Sequence, residues 1–113
     1  MRIRKGKYKV ATPCSSTTEK QGSYGYSFPF MVHREEECKF WRVSHIATGF
    51  NITSNVRTVK QARAVVEKLK QYPIFLMPTI ETWKKAKNRM KEQQPEQYNK
   101  MLDIVNLRDE NNE

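Results

Sequence analysis

The sequence predicts an α+β fold: an antiparallel sheet of three or four strands packed on one face by a helix, with one or two further C-terminal helices. Three observations point there. Tyr24, Tyr26, Phe28, Phe30 and Val32 occupy every second position, the period of one face of a strand. Ala62, Val65, Val66, Leu69 and Tyr72 recur at the spacing of one side of a helix. At 113 residues, with five Phe, five Tyr and two Trp, the chain is long enough for one modest core. Residues 1–107 are expected to form a single domain, with 108–113 as a polar tail.

Taken in order, Lys7-Tyr8-Lys9-Val10 alternates as an edge strand does, and lysines at such an edge discourage strand addition. Thr12–Gly22, with Pro13, Ser15, Ser16, Thr17 and Thr18, reads as a mobile loop. The aromatic stripe follows as one strand. Pro29 removes a ladder donor and places that strand at an edge or a bulge. Glu35-Glu36-Glu37 turns the chain, and Phe40–Ala47 returns as a second strand. Pairing Arg34 with Lys39 sets Val32 opposite Trp41, Phe30 opposite Val43 and Tyr26 opposite Ala47. This register keeps the stripe beside the apolar face, whereas a one-residue slip would bring Arg42 and Ser44 there. The stripe is therefore expected to be core under the helix, not a platform on which bases stack.

Thr48-Gly49 signals a tight turn, and Phe50, Ile52, Ser54 and Val56 make a third alternating segment. Thr58, with Gln61 three residues on, has the spacing of a capping box and opens a helix that Pro73 ends. Thr79 caps a second helix with the apolar stripe Ile80, Trp83, Ala86 and Met90. Pro95 breaks or restarts it. Tyr98, Met101, Leu102 and Val105 form a third amphipathic stretch, whose apolar face either completes the core or makes a homodimer interface.

Chemistry-bearing patterns are sparse. Cys14, His33, Cys38 and His45 have metal-binding atoms, but their spacing matches neither Cys-x-x-Cys nor a paired-histidine rule, so no metal or cofactor is expected. Ser44 and His45 are neighbours on a strand and point to opposite faces, which prevents a direct nucleophile–base bond. With four glycines and no Gly-rich phosphate loop, no enzymatic activity is expected. No apolar run nears the roughly 20 residues of a membrane span, and the charged N-terminus has no apolar stretch behind it. Two cysteines without a secretion signal are expected as free thiols, which points to the cytoplasm and to no membrane partner.

Charge is the strongest signal. The chain carries +9 overall, distributed unevenly: residues 1–91 hold 19 Lys/Arg against 6 Asp/Glu, and residues 92–113 hold 2 against 6. A body at +13 beside an end at −4 projects a positive field that attracts an anion. Arg2, Arg4, Lys5, Lys7 and Lys9 form a candidate basic arm. Arg42 lies on the non-core face of its strand with Ser44, and Lys84, Lys85, Lys87, Arg89 and Lys91 form a second patch.

Trp41-Arg42-Val43 before the Thr48-Gly49 turn, with Thr58-x-x-x-Ala62 opening the helix, resembles the three-stranded-sheet-plus-helix DNA-binding modules of integrase arm-binding domains and plant ethylene-response factors. Phe40–Leu69 also resembles a pattern in small uncharacterised phage-encoded proteins. A lesser likeness is to double-stranded-RNA-binding domains, without their leading helix. The long Thr12–Ser23 segment and the two C-terminal helices depart from the first family. The resemblance implies a sheet face set against a nucleic acid, DNA ahead of RNA. A protein of phage type that binds and blocks an acidic host protein, through Trp83, Tyr98 or Met101, is the alternative expectation from the same charge.

Overall fold

The computed structural model describes residues 1–11 and 16–108. Thr12–Ser15 and the tail beyond Arg108 lie outside the described residues, and Cys14 with them. Strands β1 (Arg4–Ala11), β2 (Thr17–Ser27), β3 (Phe30–Glu35), β4 (Trp41–His45) and β5 (Asn51–Val56) form one antiparallel sheet in the order β1-β2-β3-β4-β5. Helices α1 (Val59–Leu69), α2 (Ile80–Gln93) and α3 (Pro95–Val105) follow, with a 3-10 turn at Pro73–Leu76 between α1 and α2. The class is α+β, with five strands rather than three or four.

The extra strand arises where a loop and a single long strand were expected. Thr17–Gly22 is not loop but the outer half of β2, paired with β1 from Ala11↔Thr17 to Gly6↔Gly22. The aromatic stripe is not one strand either. A turn at the cis Phe28–Pro29 bond splits it, so Tyr24 and Tyr26 belong to β2 and Phe30 and Val32 to β3. Pro29 thus sits where no ladder donor is needed. Across β3 and β4 the pairs are Phe30↔His45 and Val32↔Val43, two residues away from the expected register. A two-residue slip keeps every side chain on its expected face, which is why the burial argument could not detect it.

One face of the sheet meets the helices. Phe30, Val32, Trp41, Val43 and Val56 pack there against Val65, Val66, Leu69 and Phe75. Phe30 and Phe75 rings lie 4.9 Å apart. Asn55 has φ 60, a left-handed residue that interrupts alternation, so Thr53 and Val56, three positions apart, are both buried. Ser54 therefore does not share the buried face with Val56 as alternation predicted.

Caps hold the helices where the sequence placed them. The Thr58 hydroxyl accepts the Gln61 N–H at 3.0 Å, while the Gln61 side chain accepts the Arg57 N–H at 2.8 Å. Thr79 and Thr82 cap α2 reciprocally. Pro95 starts α3 immediately after α2 ends.

His45 ties the sheet to the 3-10 turn. Its Nε2 lies 2.6 Å from the Phe75 carbonyl oxygen, which only accepts, so Nε2 carries the proton. Nδ1 then accepts from the Thr48 hydroxyl at 2.8 Å, and Thr48 Oγ1 accepts the Phe50 N–H at 3.2 Å. Burial pushes the His45 pKa down, opposed by the Phe75 carbonyl. Gly49, at φ 75, closes the adjoining turn in the left-handed region that its missing Cβ allows.

Candidate nucleic-acid interface

The face away from the helices is not open along its whole length. Tyr8 pairs with Lys20 on β2, yet its ring sits 5.4 Å from that of His33 on β3 and 5.3 Å from that of Tyr24. Such contacts require the outer half of the β1–β2 ribbon to bend back over β3 and β4. The bend coincides with the Gly6↔Gly22 pair. A Cβ on Gly22 would stand 2.1 Å from the Arg34 carbonyl oxygen, so only glycine permits this approach. Beneath the ribbon lie Tyr8, Met31, His33 and Ser44, all buried.

The buried layer contains a polar chain that no sequence spacing announced. The Tyr8 hydroxyl is 3.4 Å from His33 Nδ1, and His33 Nε2 is 2.7 Å from Ser44 Oγ. The Tyr8 hydroxyl is pushed up to about 12, chiefly by burial. His33 is held down at about 4, by burial first and then by the Lys20 and Arg42 charges. Ser44 and His45 do point to opposite faces, but His33, diagonally across the β3–β4 ladder, reaches Ser44 instead. Both are only 3% exposed, so no substrate reaches that hydroxyl beneath the ribbon. Ser44, expected beside Arg42 on an open face, is unavailable to a ligand.

Bending the ribbon turns its cations outward. Lys5, Lys7 and Lys9 oppose Ser23, Gln21 and Glu19, on the face of β1 opposite Tyr8. They form a row with about 6.8 Å between neighbours. Arg42, exposed on the other side of the strand from the helices, is close enough for its charge to act on both Tyr8 and His33. Lys20 is already committed, in an ion pair that holds the Glu35 carboxyl below its usual range. Arg2 and Arg4 are exposed at the start of the same edge. Arg63 on α1 joins them, its Nη2 donating to the Met1 carbonyl at 3.3 Å. With the two 62 positions apart, no local signal could have linked them.

The α2 cations stand apart from this row. The Trp83 and Phe50 rings meet at 5.2 Å, placing α2 on the helix side of the sheet, near the β5 edge. Strand β1 is at the opposite edge. Helix geometry also divides the α2 group. Lys84 and Lys87 rim an apolar cleft of about 500 Å³ with Phe50, Trp83, Tyr98 and Met101. Arg89 rims a second cleft of about 390 Å³ beside Tyr72 and Ile74. Lys87 Nζ lies 4.9 Å over the Trp83 ring. Lys85 and Lys91 are exposed. The two basic groups read from the sequence are therefore two surfaces.

Among the described residues, Lys7 alone of the eleven predicted contacts is in an ion pair, an open one at 3.8 Å with Glu19. Pairs this exposed bind weakly. No group of three or more His, Cys, Asp or Glu comes together among the described residues, and His33 and His45 lie on opposite faces. Cys38 is a free thiol. No described helix is long and apolar enough to cross a membrane. No family model, curated protein or solved structure matches this chain.

Proposed function

We propose that this protein binds nucleic acid without catalysis, mainly through backbone charge, with the β1 row as its primary contact. Lys5, Lys7, Lys9 and Arg42 supply that contact, Arg2 and Arg4 extend it, and α2 offers a second surface to a longer strand. The observation that carries the reading is the set of outward cations that have almost no acidic partner among the described residues. A concentrated positive row of this kind repels itself unless a polyanion neutralises it. Phosphates supply that neutralisation and release counterions when they bind.

The test is fluorescence anisotropy with a short labelled oligonucleotide across a salt series from about 50 to 200 mM. The expected result is an affinity that falls steeply with salt, with a log–log slope for each phosphate engaged of about −0.9 on a duplex and about −0.7 on a single strand. Absence of binding at the lowest salt overturns the proposal.

A further inference from the structure

We infer that the nucleic acid bound at the ribbon side is single-stranded, its unpaired bases stacking on Tyr26 and Phe28. This rests on the reading above and names its substrate class. The turn that splits the aromatic stripe sends its two halves to different environments. Phe30 and Val32 enter the core, whereas Tyr26 remains 52% exposed and Phe28 71% exposed. The Ile46 N–H donates to the Pro29 carbonyl at 3.0 Å, so the β2–β3 turn is bonded to the turn after β4, where Ile46 is itself exposed. Two joined turns thus present apolar side chains together, which marks a contact surface more strongly than any one of them alone.

The exposed Tyr26 ring is braced from behind. The Tyr26 ring meets Tyr24 edge-on at 5.8 Å, and Tyr24 meets Tyr8 at 5.3 Å. A ring already held in place loses little freedom when a base stacks on it. Charge lies within reach of the same surface: Lys9 lines one small crevice with Tyr26 and Ile46. Arg42 is on the same side of the sheet. Rings for bases next to cations for phosphates is the combination that grips a single strand. In a duplex the base faces are already stacked on one another, so a strand must be unpaired to use these rings.

The full chain is tested by anisotropy against a mixed-sequence single-stranded oligonucleotide and its duplex, of equal length and at equal salt. The wild type is expected to bind the single strand more tightly. Phe28→Ala and Tyr26→Ala should each weaken single-strand binding roughly 5-fold or more and leave duplex binding unchanged. Phe28→Trp should retain the wild-type affinity. Both positions are exposed, and a thermal melt checks that each variant folds. Unaltered single-strand affinity in both alanine variants, with Lys9→Glu still weakening it, overturns the stacking and leaves the charge reading standing. Equal loss on duplex and single strand also overturns it. Binding to anionic lipid vesicles with no binding to either oligonucleotide overturns this inference and the charge reading together.

Discussion

Acidification should destabilise this protein through one buried histidine. In the fold His33 is held at about 4 against an ordinary value of 6.5, because the ribbon buries it and Lys20 and Arg42 repel its cation. Between those two values the unfolded chain carries a proton on His33 that the folded chain does not. The unfolded state therefore binds more protons, and stability falls as pH drops from 6.5 through 4. The gap is worth about 3 kcal/mol in full, at about 1.4 kcal/mol per tenfold, and about 2 kcal/mol of it is gone by pH 5. His45, also lowered by burial, adds to the loss in the same direction. Glu35 acts in a more acidic window, since its depressed pKa costs stability only as pH falls below the ordinary value of 4.5.

Urea unfolding followed by the fluorescence of buried Trp41, at pH 7, 6, 5 and 4.5, measures the profile. His33→Asn, which cannot titrate there, isolates the contribution. The variant is expected to be less stable at pH 7, for it disturbs the bonds to Tyr8 and Ser44, yet to lose about 2 kcal/mol less between pH 7 and 5. Parallel profiles for the two proteins would refute the argument, because they would mean that His33 is as free to protonate in the fold as outside it.

Three further outcomes follow from the same structure. Gly22→Ala should destabilise by at least about 2 kcal/mol, read as a drop in Tm, because the added Cβ meets the Arg34 backbone rather than a movable side chain. Thr53→Val should stabilise by about 1 kcal/mol in urea unfolding, since the Thr53 hydroxyl is buried with no hydrogen-bond partner among the described residues and valine has nearly its shape. Replacing Lys5, Lys7 and Lys9 together by glutamate should reduce the salt slope of oligonucleotide binding by about 3, whereas Lys85→Glu with Lys91→Glu should leave a short oligonucleotide bound within about 2-fold. The contrast is measured by anisotropy and follows from the opposite placement of the two basic surfaces.

Local chemistry is what the sequence carried unaided. Thr58, Thr79 and Pro95 mark helix boundaries because capping and proline geometry act within one turn. The Ala62–Leu69 stripe and the alternation at Phe30, Val32 and Val43 identify core faces because burial repeats with the period of the element. The excess of cations over acids in the first 91 residues is likewise a property of composition.

Tertiary structure decided everything that depends on distant segments meeting. Alternation continues undisturbed through Phe28 and Pro29, so period alone cannot distinguish one strand from a hairpin whose turn falls in the stripe. A register displaced by two residues preserves every face and so leaves no trace in hydropathy. The bend at Gly22 depends on the approach of the Arg34 backbone, and the Tyr8–His33–Ser44 chain exists only after that bend. The same bend separates the β1 cations from those of α2 and leaves Tyr26 and Phe28 in solvent, since which half of a stripe is covered depends on where the ribbon and helices come to rest.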